Sequence, residues 1–531
     1  MRRTLSFCLI FLFYPVFVFT EPSLRDWDGR KPFFDEVRPN PKALLAISSE
    51  DIEAISMDTL FHRAEFLEDN FRKYHCFNGM VWKGFFKKNT DPHPYCFDVG
   101  SDCAIFTGFY LAAAVYRYKV TQKESDLDKV LDSVRALHIL THVSGTPGVL
   151  VRSAFPIQKA DLWKIEGNET HLYDGPDTVP EIFGDGVQKY PPMRFYARTT
   201  RDQLTGVLYG LAVAWTELFQ KFQEHKTAQT EKIQKALEAL YTITESLTKR
   251  IRTNAYVLRD HLGKTGTIAS NVDGILRLQL LALYRRILLD ERKQDFRRIP
   301  DIKASQRLKK KLKSIRKEYR RSFSFTFFKS AFTNKLYPLS NLHQYYAWNL
   351  RFTRFYSIFI LETNNGRKHK VFKKIKNDLW EASLLFTGRS IQYHKNTYFT
   401  FLYWHILTEN RKNKYKTLLE KLHFIRHDPL QDADLKNERF QEALWSLKAL
   451  ALSPLRNWPS PLANQFLFPY QFVPVHLRKH SQHFQWHSTS FGSKAVGTDR
   501  ENGLLEATGI DFILPYWFGR AKGFIELGPE S

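Results

Sequence analysis

Residues 199–215 read TTRDQLTGVLYGLAVAW. Arg201 and Asp202 stand directly in front of an apolar run that holds Gly206 and Gly210. Residues 99–118, VGSDCAIFTGFYLAAAVYRY, have a similar build: a carboxylate, then Thr-Gly, then small and aromatic residues. A helix that is apolar on nearly all sides has to be buried. Four further stretches share this character: NVDGILRLQLLALY, YYAWNLRFTRFYSIFIL, TYFTFLYWHIL and GIDFILPYWFGRAKGFI.

Between them lie helices of another kind, amphipathic and charged. SDLDKVLDSVRALHILTHV and QTEKIQKALEALYTITESLTKRIR are examples, each with one face suited to water. The 3.6-residue spacing predicts helices near 50–72, 100–121, 125–143, 202–223, 229–252, 268–290, 301–321, 340–362, 368–386, 394–409, 433–451 and 504–526. Few stretches alternate like strands; FLFPYQFVPV is the exception, with room for one or two short ones. Six inner and six outer helices in alternation predict an all-α fold, an (α/α)6 toroid of six helical hairpins. The inner-to-outer connections are mostly short and the outer-to-inner ones mostly long, at 73–99, 144–201, 253–267, 322–339 and 452–503. Consecutive antiparallel helices gather the long connections at one end, where loops of this length usually carry function. The predicted organisation is residues 1–20 as a signal peptide or N-terminal anchor, 21–49 as an extended segment and 50–531 as the toroid.

The bulk numbers fit this organisation. The 531 residues are 43% hydrophobic, enough for a large core. The 79 Lys and Arg exceed the 55 Asp and Glu by 24, a balance that favours anionic partners. No zinc-finger spacing, RRM-like signature or P-loop accompanies that charge, so nucleic acid is not the expected partner. The densest basic run, RLKKKLKSIRKEYRR, has Leu308, Leu312 and Ile315 at helical spacing and reads as a solvated helix face. MRRTLSFCLIFLFYPVFVFTEPS places two arginines before an apolar run from Leu5 to Phe19, the build of a secretory signal. Val18-Phe19-Thr20 fits the small-residue cleavage rule poorly, so a retained anchor is the alternative. Either way the protein is expected to be exported, periplasmic, secreted or on the cell surface, with membrane contact only through this segment. In an exported chain Cys76, Cys96 and Cys103 allow one disulfide and one thiol. Without a CxxC or a nearby His pair they do not predict a metal site. Nothing in the sequence calls for a cofactor. NET at Asn168–Thr170 is a glycosylation sequon.

The starts of the inner helices carry Asp98 and Asp102, Arg201 and Asp202, Asn271 and Asp273, His343, His394, and Glu506 with Asp511. The loops add Arg152, Trp486 and its neighbouring histidines, and the last inner helix adds Trp517. Glycosidic cleavage needs one carboxyl to protonate the leaving oxygen and a second to activate water or attack the sugar. Arginine holds a substrate carboxylate, and tryptophan stacks on sugar faces. Each residue also has a plainer explanation. An aspartate at a helix start is often an N-cap, a buried histidine is often core, and an arginine after a turn often pairs with a loop. The recurrence at one end carries more weight than any single residue.

DVGSDCAIFTGFYLAAAVYRY, VSGTPGVLVRSAFP, TTRDQLTGVLYGLAVAW and GIDFILPYWFGRAKGFI resemble the six-hairpin glycosidase superfamily, and most of all its exported bacterial members. The resemblance covers residues from about 60 to 525. It implies an (α/α)6 toroid with a sugar-binding cleft at the N-terminal ends of the inner helices. The fold hosts glycoside hydrolases, polysaccharide lyases and epimerases, so it does not select a reaction. The expected function is an exported glycoside hydrolase acting on an oligosaccharide or polysaccharide, anionic in view of the charge. Asp202 is the expected acid/base, with Asp102 or Asp98 as second carboxylate. Arg152, Arg201, Asn271, His343, His394, Trp486, Asp511 and Trp517 are expected to bind substrate. One alternative is a lyase with Tyr209, His343 or Tyr345 as base. Another is a non-catalytic toroid that binds glycan or protein.

Overall fold

Gly206 and Gly210 explain how two fully apolar helices can lie against each other. A Cβ at Gly206 would sit 2.3 Å from the Ile105 carbonyl oxygen, and one at Gly210 would sit 2.3 Å from the Gly108 carbonyl oxygen. Only glycine lets the two backbones approach this closely. The helices are α3 (Cys103–Thr121) and α5 (Arg201–Glu224), and α3 is buried continuously from Cys103 to Tyr118. Each Leu, Ile or Phe buried there contributes about 1.5–3 kcal/mol.

The computed structural model describes residues 47–85, 94–99, 102–158, 163–164, 171–176, 179–183, 189–224, 229–265, 270–272, 274–293, 302–333, 345–381, 392, 396–422, 438–453 and 505–526. They are mostly helical. Two N-terminal helices, α1 (Ser49–Glu53) and α2 (Met57–Tyr74), precede α3, and α4 (Glu124–His142) follows it. After α5 come α6 (Thr230–Thr253), α7 (Gly274–Lys293), α8 (Ile302–Thr333) and α9 (Tyr345–Leu361). The chain then forms α10 (Asn365–Ile375), which tightens into a π turn over Lys376–Trp380. Last come α11 (Thr397–Leu422), α12 (Glu438–Ala451) and α13 (Ile510–Ala521).

The apolar helices contact one another in a fixed order. α3 packs on α5, α5 on α7 and α9, α7 on α9, α9 on α11, α11 on α13, and α13 on α3. Specific pairs set their direction. The Ile105 N–H donates to Gln203 Oε1 at the start of α3 and α5, and Lys119 donates to Glu217 near their ends, so the two run parallel. Gln279 bonds the Thr205 carbonyl and Trp215 bonds Asp290, which makes α7 parallel to α5. Gln279 with Ser357 and Arg285 with Glu362 do the same for α9. The ring pair Phe352–Phe399 and the Tyr356–His405 hydrogen bond extend the direction to α11. The amphipathic helices attach outside: α4 on α3, α6 on α5 and α7, α8 on α7, α10 on α9 and α11, and α12 on α11 and α13.

One end of this packing is closed by charge. Lys522, just past α13, and Lys119 both donate to Glu217, at 2.7 and 2.6 Å. Burial pushes the Glu217 carboxyl up, but Lys522 and Lys119 outweigh it and bring it down to about 2. His405, near this group, is held well below its ordinary value by burial and by the surrounding lysines.

Several expectations change. The connection after α2 and the long one after α4 contain short strands. β1 (Cys76–Phe77) pairs with β2 (Met80–Val81). β3 (Gly84–Phe85), β4 (Cys96–Asp98) and β6 (Trp163–Lys164) form one sheet with β11 (Leu505–Glu506). β5 (Ser153–Pro156), β7 (Leu172–Asp174) and β10 (Met193–Tyr196) form an antiparallel sheet with β10 central, and β8 (Val179–Pro180) pairs with β9 (Lys189–Tyr190). Residues 144–201 therefore carry ordered strands as well as loop. The helix expected over 504–526 starts only at Ile510, because Gly509 adopts φ 72° and Leu505 and Glu506 pair with β3. Helix α11 runs on to Leu422, well past the expected 409. Cys76, Cys96 and Cys103 are unbridged thiols. Among the described residues no helix is long and apolar enough to cross a membrane. Residues 1–46, FLFPYQFVPV and the sequon lie outside the described residues.

Gly206→Ala is expected to destabilise the protein by about 1–3 kcal/mol or more, because the new methyl meets backbone that cannot move aside. Gly366→Ala, at an exposed site where the added Cβ would lie 3.4 Å from Asn364 Oδ1, should leave the melting temperature unchanged or slightly higher. Thermal unfolding of both variants checks this, and equal melting temperatures would contradict the close-contact explanation.

Candidate functional site

A helix start leaves backbone N–H groups without intrahelical partners. Asp102 holds the N-cap position of α3 but makes no side-chain capping bond. The orphan donors are satisfied from elsewhere. The Ala104 N–H donates to the Arg152 carbonyl at 3.0 Å, and the Ile105 N–H donates to Gln203 Oε1 at 3.0 Å. The Asp102 carboxylate is thereby released from capping. It accepts from Gln203 Nε2 at 2.7 Å and from the Arg152 guanidinium.

Gln203 therefore has two tasks. Its carbonyl caps α3, and its amide N–H₂ holds Asp102, with the whole side chain fully buried. Arg152 is fixed by its own backbone, whose N–H donates to the Tyr196 carbonyl at 2.9 Å just past the centre of the β5–β10–β7 sheet. The helix contact at Gly206 sets the register that lets Gln203 reach α3.

Asp202 lies in the first turn of α5, half-buried. Its carboxyl is raised from the ordinary value, first by burial. Arg354 opposes the rise, the Asp102 charge adds to it, and Arg201 and Arg152 oppose it more weakly. Among the described residues its side chain accepts no hydrogen bond, in contrast to Asp102. Arg354 reaches this group from the middle of α9, where its Nε donates to Thr205 Oγ1 at 2.8 Å. Thr205 in turn donates to the Arg201 carbonyl at 2.8 Å. Two carboxylates and three guanidiniums thus meet at the joint mouth of α3 and α5. Such a site can keep one carboxyl protonated and the other ionised at the same pH.

Of the expected site residues, this places Asp102, Asp202, Arg152 and Arg201 together. Gln203 and Arg354 join them and were not anticipated. Arg354 had a signal, since it is a charge inside a helix otherwise too apolar for water, and a buried charge requires a partner. Asp98 is buried at the end of β4, where its backbone N–H donates to the Lys83 carbonyl. Asn271 is exposed and forms an isolated bridge with Val257.

Two assignments need correction. Asp511 is in the first turn of α13 but only 1% exposed, so it is closed to a substrate. Trp517 is also 1% exposed, with the Arg117 guanidinium 4.9 Å from its ring and Phe61 edge-on at 6.4 Å. Arg117 belongs to the far end of α3, so Trp517 is core and offers no face to a sugar. Glu506 is likewise structural: it accepts from His75 at 2.8 Å and from Asn70 at 3.0 Å, fully enclosed. His343, His394, Trp486 and Asp273 lie outside the described residues. Among the described residues no group of three or more His, Cys, Asp or Glu is placed to hold a metal ion.

Comparison with protein-family models, with curated proteins and with solved structures gives no match to this chain.

The raised Asp202 carboxyl makes a pH prediction. A folded value above the unfolded one favours the fold while the group is protonated, and that contribution is lost as pH rises through the folded value. Asp202→Asn, which cannot ionise, should therefore be more stable than wild type at neutral pH, with the difference shrinking on acidification. Urea unfolding at several pH values measures it. A difference that grows on acidification would contradict the assigned burial.

Proposed function

We propose that this protein is a carbohydrate-active hydrolase built on an (α/α)6 toroid, with its site at the shared mouth of α3 and α5. The order of helix contacts supports the architecture: the apolar helices follow one another from α3 round to α13 and back, with α5 also packed directly on α9 and the amphipathic helices outside. The observation that carries the chemistry is the contrast between two neighbouring carboxyls. Asp202 is raised by burial and carries no hydrogen bond from the described residues, while Asp102 is held by a guanidinium and an amide donor. A glycosidase needs that division.

In this reading Asp202 donates its proton to the departing glycosidic oxygen. Asp102, held in place by Arg152 and Gln203, faces the positive charge that grows on the sugar ring, either attacking it or activating water. Arg201 and Arg354 complete a cationic surround that suits a substrate bearing acid groups. Export, through the N-terminal apolar segment, places the enzyme where such polymers occur.

A lyase reading has less support. Tyr209 is fully buried, packed against Phe109, and burial drives its hydroxyl well above its ordinary value, which makes it a poor base. The competing reading is a binding toroid, and one observation favours it. The Asp102–Arg152–Gln203 group joins α3, α5 and the β5–β10–β7 sheet, as a structural latch would.

Release of reducing ends from a panel of neutral and uronic-acid oligosaccharides decides between them. The hydrolase reading predicts turnover that falls about 100-fold or more in Asp202→Asn, with the circular dichroism unchanged. It also predicts a rate that declines as pH rises through the Asp202 value. No turnover in wild type, with glycan binding equal in both proteins, would leave the binding toroid. An unsaturated product would select the lyase.

A further inference from the structure

A recess is lined in part by residues that directly precede Arg201 and Asp202 in the chain. It is a cavity of about 220 Å³ whose walls include Arg198, Arg259, Lys264, His171, Tyr173 and Thr199. Besides His171 and Tyr173 at β7, two segments build it. One is the end of β10, where the Ala197 N–H donates to the His171 carbonyl at 2.9 Å before the chain runs through Arg198 and Thr199 into Arg201 and Asp202. The other is the connection after α6.

That connection is held in a demanding conformation. Ala255 and Tyr256 adopt φ 53° and 64°, left-handed values that residues with side chains rarely take. The surroundings enforce them. The Tyr256 N–H donates to the Ile251 carbonyl at 2.9 Å, its hydroxyl donates to Glu318, and the Arg277 guanidinium covers its ring at 3.7 Å. Beyond it, the Leu258 N–H donates to the Ser270 carbonyl at 2.8 Å, and the Arg250 side chain bonds the Asp260 carbonyl. Backbone strain of this kind concentrates where a segment must be presented in one fixed way.

Asp260, the one acidic side chain on the wall among the described residues, is turned to its own loop. Its Oδ1 accepts from the Leu262 N–H at 3.0 Å and the Lys264 N–H at 2.7 Å. It shapes the turn that carries Lys264. Three cationic side chains then share one small recess. Arg259 also donates to the Gly263 carbonyl at 2.7 Å, which fixes its head group. Thr199 also lines the recess, and its hydroxyl is buried with no hydrogen-bond partner among the described residues.

We propose that this recess is a subsite for an oxyanion group, a carboxylate or a sulfate ester, on a sugar unit of a chain whose cleavage point lies at Asp202. The inference rests on the reading of the Asp102–Asp202 site as glycan-binding and adds the substrate's charge and where it is read. Guanidinium and ammonium donors form charge-assisted hydrogen bonds to such groups. Their loss is felt in affinity, whereas the loss of Asp202 is felt in turnover.

Calorimetric titration of the full chain tests it with three probes of equal length: a uronic-acid oligosaccharide, a sulfated one and a neutral one. At least one charged chain is expected to bind about tenfold or more tighter than the neutral chain, and the charged chain preferred names the oxyanion. Arg198→Gln and Lys264→Gln are each expected to remove most of that preference while leaving the neutral affinity unchanged. Arg198 is exposed, so its replacement leaves the fold intact and keeps the test decisive if the Lys264 turn is disturbed. Equal affinity for all three chains, or a preference that survives both substitutions, would overturn the proposal. Inorganic sulfate that binds as tightly as the sulfated chain would overturn its sugar component. If wild type turns over none of these chains, the hydrolase reading fails alone, and the charge preference in these titrations still stands or falls by itself.

Discussion

The close contact of α3 and α5 at Gly108, Gly206 and Gly210 is the constraint from which the rest follows. With backbones this near, the two helix starts are held level. Gln203 can then cap α3 across the gap. Because Gln203 and the Arg152 carbonyl satisfy the α3 donors, Asp102 is spared the task an aspartate at that position normally has. The same contact keeps Lys119 opposite Glu217 at the other end of both helices. One packing decision thus fixes a charged cluster at each end of the same pair.

The two clusters are built differently. Glu217 is enclosed with two lysines that bring its carboxyl to about 2, so it stays ionised and acts as a clasp between α3, α5 and the end of α13. At the opposite end, burial outweighs the three arginines near Asp202 and raises its carboxyl. Three guanidiniums spread over three elements are less effective on it than two ammoniums in direct contact are on Glu217. Asp202 is therefore a carboxyl raised by burial beside Asp102, which a guanidinium and an amide hold in place.

Much of this is legible in the sequence because the inner helices are so apolar. Sixteen consecutive buried residues in α3 leave no polar face to misread. The outer helices follow from ordinary amphipathic spacing. The strands were hidden because they are two to four residues long, too short for alternation; Ser153–Pro156 is buried at every position. The helix mouths pointed to Asp102, Asp202 and Arg201, and the loop after α4 pointed to Arg152. Gln203 was missed because a neutral amide beside an aspartate attracts no notice until its two partners are in view. Asp511 was misassigned for the converse reason. At the sequence level it is an aspartate at an inner-helix start, as Asp202 is, and only packing separates the one that is closed off from the one at the mouth.

The central claim is that Asp102 and Asp202 share one electrostatic field at the mouth of α3 and α5. The most direct test is a carbon-13 NMR titration of the Asp202 carboxyl in wild type and in Asp102→Asn. The account predicts that Asp202 titrates above the ordinary aspartate range in wild type. It further predicts that the value falls in Asp102→Asn, where one negative neighbour is gone and Arg152 is released toward Asp202. A carboxyl that titrates at the ordinary value in both proteins would contradict it.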